Sequence, residues 1–173
     1  MIYLDWKSKC RKYNVIIEQN CVDYIISLAQ GNNPNEIGSS LLGSYKQDGF
    51  TAIIKGVSPI PKDSVFTRFF FKRGASGLKE YYKKLYNDTE GTIHYIGEWH
   101  SHPYGEPIPS GKDDKTLFGV CNNFKINCPE CISLIIGNDL IDKPKLGLYV
   151  YSRVNGRIKL LPEIGKNPFG NLI

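Results

Sequence analysis

The sequence has 173 residues, 41% of them hydrophobic, which is enough for one compact domain that buries about 70% of its unfolded surface. A net charge of +5 is modest and indicates a solvated surface, which argues against nucleic-acid binding. No run approaches the roughly 18 apolar residues of a membrane span, and residues 1–7 lack the pattern of a secretory signal, which predicts a cytoplasmic protein.

Hydrophobic spacing and turn residues predict a mixed β-sheet flanked by helices, an α/β (α+β) fold. In chain order the predicted elements are strand 13–17, helix 22–31, strand 36–45, strand 50–57, strand 65–71, a helix from about residue 76, strand 92–102, helix 110–122, strand 131–136 and strand 146–154. The turn at 47–49 makes the second and third strands a hairpin. We expect a single domain over residues 1–173, with a loose tail from about residue 162.

The second predicted helix carries an aromatic stripe. Ser76 is the expected N-cap, and Tyr81, Tyr82 and Tyr86 recur at helical spacing together with leucines. This pattern predicts packing against the core.

Two of the three histidines in the chain, His100 and His102, lie one residue apart in a predicted strand. Side chains alternate along a strand, so these two imidazoles share one face while Trp99 and Ser101 share the other. His94 stands alone on the same strand and is expected to be structural or exposed to solvent. The pair can therefore provide two ligands to one metal ion.

A loop with three prolines, residues 103–109, follows the pair and should turn the chain back stiffly. Ser110 then begins a helix, and Asp113 lies on its first turn, where it can reach the strand end. A catalytic zinc site uses three protein ligands and keeps a fourth position for water. His100, His102 and Asp113 would supply the three.

Simpler explanations exist for part of this pattern. A serine followed three residues later by an acidic residue is also a capping box, in which Ser110 and Asp113 only satisfy backbone N–H groups. Asp114 is a rival ligand, but the adjacent position on a helix points about 100° away. The combination with the histidine pair favours the metal site.

The residues at these positions carry a family resemblance. The segments Glu36-x-Gly38-x-x-Leu41-x-Gly43, Gly97-Glu98-Trp99-His100-Ser101-His102-Pro103 and Ser110-x-x-Asp113 resemble the JAB/MPN family with an intact JAMM metalloprotease motif. The histidine segment looks most like small bacterial members encoded beside ubiquitin-activating and ubiquitin-conjugating homologues, including those of CBASS antiviral operons. The resemblance implies the MPN/JAB fold, with a curved mixed sheet and a layout similar to cytidine deaminases.

The resemblance also implies roles for single residues. His100, His102 and Asp113 would hold one Zn²⁺ per chain, Glu36 would transfer protons, and Ser110 would donate a hydrogen bond to the developing oxyanion. From the residues alone, Glu98 and Glu106 remain alternatives to Glu36 as the base, and Glu98 shares a face with His100.

The implied activity is that of a zinc isopeptidase that cuts after the C-terminal glycine of a ubiquitin-like protein or another conjugated polypeptide. Expected partners are that substrate tail and, beside it, E1-like and E2-like enzymes and their conjugation target, without nucleic acid or membrane. The alternatives are a metal-free MPN scaffold, disfavoured because every motif position is filled, and a RadC-like protein, for whose helix-hairpin-helix extension 173 residues leave no room.

Five cysteines, an odd number, fit reduced thiols better than a disulfide framework. Cys121, Cys128 and Cys131 raise the question of a second metal site, but structural zinc normally takes four ligands and only three cysteines lie close in sequence. Burial is the favoured interpretation of Cys131.

Overall fold

The computed structural model describes residues 3–163, which form an eight-stranded barrel with three helices and a small hairpin. The strands of the barrel are β1 (Tyr3–Ser8), β2 (Asn14–Glu18), β3 (Gly38–Tyr45), β4 (Thr51–Val57), β7 (His94–His102), β8 (Glu130–Asp139), β9 (Lys143–Ser152) and β10 (Gly156–Pro162). The hairpin consists of β5 (Val65–Thr67) and β6 (Phe70–Lys72), and the helices are α1 (Gln19–Asn32), α2 (Leu78–Asp88) and α3 (Gly111–Asn122).

The sheet closes in the order β1-β10-β9-β8-β7-β3-β4-β2. It is mixed as predicted, because β2 pairs with β4 and β7 pairs with β8 in parallel, whereas the other neighbours are antiparallel. No helix within residues 3–163 is long and apolar enough to cross a membrane.

Alternation along the strands gives the barrel two buried faces. On β8, Ile132, Leu134 and Ile136 belong to the main core, which also includes α1 residues. Cys131 and Ile135 point the other way and pack against α3 in a second cluster. Helix α3 is thereby held on the outside of the barrel, and its first turn lies next to the end of β7.

The pairing of β3 with β7 brings the site together. These strands are antiparallel, and Gly38 lies opposite His100. The ladder continues past the strand end, because the Ser101 N–H donates to the Ile37 carbonyl at 2.8 Å and the Ile37 N–H donates to the Ser101 hydroxyl at 3.1 Å. Glu36 therefore arrives beside the end of β7, although 64 residues separate it from His100.

The structure corrects the prediction of one strand over 65–71. This segment is instead the β5–β6 hairpin, with Arg68 and Phe69 at its turn. The hairpin is attached to the barrel where the Glu36 N–H donates to the Thr67 carbonyl at 2.8 Å. Phe71 reaches the barrel at Gly38, where the missing side chain leaves room for its ring.

Two expectations for α2 are also wrong. Its N-cap is Gly77, in the left-handed region, and Ser76 lies before the helix with its N–H donated to the Asp63 carboxylate at 2.9 Å. Of its side chains only Leu78 is buried; Tyr82 is half-buried and Tyr86 is 60% exposed. The aromatic stripe packs along the flank of β7 and is not part of the core.

The sequence patterns gave no indication of β1 and β10, which close the barrel. The two strands pair with each other, and the Glu163 N–H donates to the Asp5 carbonyl at 2.9 Å just beyond β10. The predicted loose tail from about residue 162 falls, from residue 164 onward, outside the described residues.

We expect Gly38→Ala to destabilise the protein by about 1–3 kcal/mol, which urea unfolding can measure. A Cβ at this position would overlap the Trp99 carbonyl oxygen and approach the Phe71 ring to 2.9 Å, so strand and hairpin must both shift. Gly56→Ala is the matched control, since no heavy atom lies within 4 Å of its added Cβ. Equal stability of the two variants would contradict the prediction.

Candidate active site

The two histidines of β7 lie side by side on the outer face of the barrel. Their Nε2 atoms are 3.0 Å apart, and His100 is only 7% exposed. Trp99 and Ser101 point into the barrel and are fully buried, as the alternation predicted. His94, at the start of the strand, is exposed and takes no part in the cluster.

The start of α3 supplies a carboxylate to the same place. Ser110 is the N-cap, its hydroxyl accepts the Asp113 N–H at 3.2 Å, and the Asp113 Oδ2 accepts the Ser110 N–H at 2.7 Å. The capping box is therefore real, and it is also what positions the carboxylate, because Asp113 Oδ1 lies 3.5 Å from His100 Nε2. The two interpretations of Ser-x-x-Asp coexist.

Asp114 is directed away from the histidines. Its carboxylate accepts a hydrogen bond from the Tyr151 hydroxyl at 2.6 Å and pairs with Arg157 at 2.8 Å. The preference for Asp113 over Asp114 agrees with this geometry.

The loop between the histidines and α3 is packed directly on the sheet. Its backbone runs over Gly137 and Gly147, where any side chain would overlap the carbonyls of Gly105 and Pro107. The Asn138 N–H donates to the Gly105 carbonyl at 2.7 Å. These contacts hold the loop against β8 and β9 between the end of β7 and the start of α3.

The same loop orients one imidazole. His102 Nδ1 lies 3.2 Å from the Glu106 carbonyl oxygen, which can only accept, so the proton resides on Nδ1 and the lone pair of Nε2 faces the cluster. Burial, followed by the charge of His100, lowers the pKa of His102. At neutral pH His102 is thus a neutral imidazole, the form that binds metals.

The three side chains fit a divalent metal ion of the zinc type. One ligand atom from each of His100, His102 and Asp113 lies within 4.8 Å of the others. Ligands at about 2.0–2.1 Å from a tetrahedral zinc lie about 3.3 Å from one another, and the shorter separations here are 3.0 and 3.5 Å. Burial acts to raise the pKa of Asp113, but the hydrogen bond and charge of His100 and the contacts with Ser110 lower it well below its usual range, so the carboxylate is ionised.

Glu36 faces the same cluster from the barrel wall. Glu36 lines the same cleft as His100, His102 and Asp113. Burial raises the pKa of Glu36, an effect that Asp113 reinforces and His100 opposes. A carboxylate with a raised pKa accepts a proton more readily than an ordinary glutamate does.

The other two glutamates that were alternatives for the base are engaged elsewhere. Glu98 shares the outer face with His100, but its carboxylate pairs with Arg73 at 3.1 Å and accepts the Tyr95 hydroxyl at 2.8 Å. The Glu106 side chain is 58% exposed and points toward Lys145, 3.8 Å away. Only Glu36 presents a carboxylate without such a partner to the cluster, among the three considered.

Arg73 is a residue of the site region that the sequence did not reveal. Its guanidinium pairs with Glu98, donates to the Ser40 hydroxyl and donates to the Tyr82 hydroxyl at 3.3 Å. It follows directly after β6 and so anchors the hairpin to β3 and β7. Nothing in the local sequence around Arg73 predicts its ion pair with Glu98, because the two residues are 25 positions apart.

We expect Arg73→Met to lower the free energy of unfolding by about 2 kcal/mol, because it leaves the Glu98 carboxylate, only 15% exposed, without its cation. The double variant Arg73→Met/Glu98→Leu should recover part of this loss. Urea unfolding of the two single variants and the double variant gives the coupling energy. Strictly additive losses would show that the pair is not coupled.

Nineteen residues line a cleft of about 710 Å³ above the cluster. The β5–β6 hairpin forms one wall and the first turns of α3 form the other, while Glu36, His100 and Asp113 lie at its floor. The cysteines lie outside it: Cys121, Cys128 and Cys131 are buried in the second hydrophobic cluster, and among residues 3–163 they do not form a group of metal ligands.

Residues 18–151 match the family described as prokaryotic homologs of the JAB domain. This chain belongs to the prokaryotic JAB family. The match includes every residue of the cluster and confirms both the family resemblance and the fold that it implied. The JAB fold is also found in the solution structure of a protein from Desulfitobacterium hafniense, which aligns with a TM-score of 0.56 at 20% identity, over 85% of this chain and 88% of that one.

Curated relatives of this JAB-family protein share one name, CD-NTase/cGAS isopeptidase. The relative from Enterobacter hormaechei is 32% identical over 148 residues, 86% of this chain and 81% of its own length. The relative from Pseudomonas aeruginosa is 37% identical over 79 residues, 45% of this chain and 48% of its own. The relative from Escherichia coli is 32% identical over 103 residues, 59% of this chain and 62% of its own.

Proposed function

We propose that this protein is a zinc-dependent isopeptidase that cuts after the C-terminal glycine of a conjugated polypeptide, in a bacterial conjugation or antiviral defence system. The observation that carries the proposal is the convergence of two imidazoles, one ionised carboxylate and Glu36 at the floor of a single cleft. A metal-free scaffold would not need this combination. The names of the three relatives support isopeptidase activity as the reaction class.

His100, His102 and Asp113 would hold the zinc ion, and their ligand set of two nitrogens and one oxygen is typical of hydrolytic sites. When bound, zinc lowers the pKa of a coordinated water toward about 7 and polarises the scissile carbonyl. Glu36 takes the proton of the attacking water and delivers it to the leaving amine. Its raised pKa suits both halves of that transfer.

Ser110 would stabilise the oxyanion. Its oxygen already accepts the Asp113 N–H, so the hydroxyl proton remains available to donate toward the cleft, which Ser110 lines. Because this hydroxyl is held by the helix cap, no reorganisation is needed when charge develops on the substrate.

The proposed substrate is the conjugated tail of a CD-NTase, the class named for the relatives, or of a ubiquitin-like protein. E1-like and E2-like enzymes that form the conjugate and the conjugation target are the proposed partners. We also propose that the protein acts in the cytoplasm and that residues 1–173 act as one domain.

The test uses the purified protein with a reporter joined to the C-terminal tail of a bacterial CD-NTase, once through a peptide bond and once through a lysine side chain. Elemental analysis should find about one zinc per chain. Mass spectrometry should show cleavage after the terminal glycine of the tail. A folded, zinc-loaded protein that leaves both reporters and equivalent ubiquitin-like fusions intact would overturn the proposal.

We expect Ser110→Gly to lower kcat about 10²- to 10³-fold with little loss of stability. Glycine is nearly as good an N-cap as serine, so the helix start survives while the hydroxyl is lost. Ser110→Ala should lose the same activity and, in addition, about 1 kcal/mol of stability. Measuring kcat and thermal unfolding for both variants separates the two roles, and full activity of Ser110→Gly would eliminate the oxyanion role.

A further inference from the structure

The mouth of the cleft carries more positive than negative charge. Arg68 and Lys72 extend from the hairpin and Lys112 from α3, so cations stand on both walls. All three side chains are exposed, and none lies within 4.0 Å of a carboxylate in the described part of the chain. The fourth cation of the cleft, Arg73, is already neutralised by Glu98.

The carboxylates of the cleft offset this charge only in part, because Lys112 is the one cation of the three that acts on Glu36. Asp113 belongs to the metal-ligand cluster, and Glu36 lies with it at the floor. The positive groups thus remain available to a ligand that spans the two walls. Other lysines of the barrel, such as Lys7 and Lys55, have carboxylate partners at 2.9 and 2.7 Å.

Aromatic rings stand between the cations. Phe69, at the hairpin turn, is 82% exposed, and the Lys112 ammonium lies 3.5 Å from the centre of the Phe70 ring, which joins the two walls. Exposed cations on both walls, with the Phe69 and Phe70 rings beside them, match an extended peptide that carries both acidic and apolar side chains. A phosphate-rich nucleic acid fits less well, because Glu36 and Asp113 would face its charges.

From this arrangement we propose that the cleft selects a substrate segment with acidic side chains beside the scissile bond and an apolar side chain against Phe69 and Phe70. This proposal rests on the isopeptidase function, because a scissile bond exists only if the protein is a protease. It adds the class of substrate that the cleft prefers. A tail rich in arginine or lysine would be repelled by Arg68, Lys72 and Lys112. The mouth of the cleft would therefore attract acidic tails and reject basic ones.

The binding test needs no cleavage. Three fluorescein-labelled peptides that end in the same glycine and differ only in Glu, Gln or Lys at two positions are titrated against zinc-loaded Glu36→Gln protein by fluorescence anisotropy. The Glu peptide should bind about tenfold more tightly than the Lys peptide, and the ratio should fall when salt is raised from about 50 to about 300 mM.

Reversing the charges on the hairpin tests whether its cations bind the acidic side chains of the peptide. Arg68→Glu/Lys72→Glu leaves the metal ligands untouched and should remove or invert the preference for the Glu peptide. The matched control is Lys143→Glu/Lys159→Glu, which changes two exposed lysines outside the cleft and should keep the preference. Thermal unfolding confirms that each variant is folded.

The outcomes separate this inference from the proposed function. If the wild-type protein cuts acidic and basic fusions with equal kcat/KM, the isopeptidase function stands and the proposed acidic preference is wrong. Preferential binding of the Glu peptide by a protein that cuts nothing overturns the function and supports the inference. An unlabelled oligothymidine that displaces the Glu peptide at equal concentration would overturn it in favour of nucleic acid.

Discussion

Replacing Glu36 with glutamine is expected to reduce cleavage about 10²- to 10⁴-fold while zinc remains bound. Glutamine keeps the size and shape of the side chain but cannot take up a proton. The metal ligands are not touched, since His100 and His102 come from β7 and Asp113 from α3. Single-turnover cleavage of the tail reporter, measured beside the zinc content of the same sample, checks both halves of this result.

The informative control for Glu36→Gln is Glu106→Gln. Glu106 lies closer in sequence to the histidines, but its carboxylate is 58% exposed and points toward Lys145, so this change should leave the rate unaltered. A large loss with Glu106→Gln, or unchanged cleavage with Glu36→Gln, would move the base role away from Glu36.

Changing a metal ligand should abolish both zinc binding and cleavage. His102→Ala removes an imidazole whose Nε2 lies 3.0 Å from that of His100, which leaves two ligands of three. Asp113→Asn removes the negative charge but keeps an oxygen that can accept the Ser110 N–H, so the capping box and the helix start should survive. Elemental analysis is expected to fall from about one zinc per chain to near zero for both variants.

Asp114→Asn is the matched control for the ligand variants. It changes the neighbouring carboxylate, which pairs with Arg157 and Tyr151, and should retain zinc and activity. Wild type treated with a chelator should stay folded, because the barrel core contains no metal ligand, unlike zinc fingers that unfold without metal. Full zinc content in Asp113→Asn would show that the carboxylate is not a ligand.

The grouping of His100, His102 and Asp113 could be predicted from sequence because it depends on short-range geometry. The period of two along a strand puts His100 and His102 on one face, and the helical angle separates Asp113 from Asp114. These relations need no knowledge of the rest of the fold. Their geometry in the structure agrees with the prediction, with all three ligand atoms within 4.8 Å of one another.

Glu36 could not be placed in this way. It reaches the site through the register of β3 on β7, a contact between residues 64 apart, and no local pattern encodes such a register. The family resemblance supplied Glu36, while the pattern alone left Glu98 and Glu106 open. What decides against Glu98 is its ion pair with Arg73, which is also a long-range contact.

The remaining errors have the same origin. Barrel closure by β1 and β10 depends on strands from opposite ends of the chain, so short apolar stretches there carried no signal. The hairpin turn at Arg68 and Phe69 contains no glycine, proline or asparagine, so the segment looked like one strand. The helix begins one residue later than predicted, after Gly77 in the left-handed region, and the Ser76 N–H is bound by Asp63, 13 residues earlier.

The loop that lies on Gly137 and Gly147 has a backbone that cannot change without moving the site, and a surface side chain that can. Its backbone sets the separation of the histidines from α3, so insertions there would disturb the chemistry. Tyr104, 64% exposed and on the cleft wall, can change without moving that backbone. Substitutions at the loop surface can thus change what the cleft accepts while His100, His102 and Asp113 keep their positions.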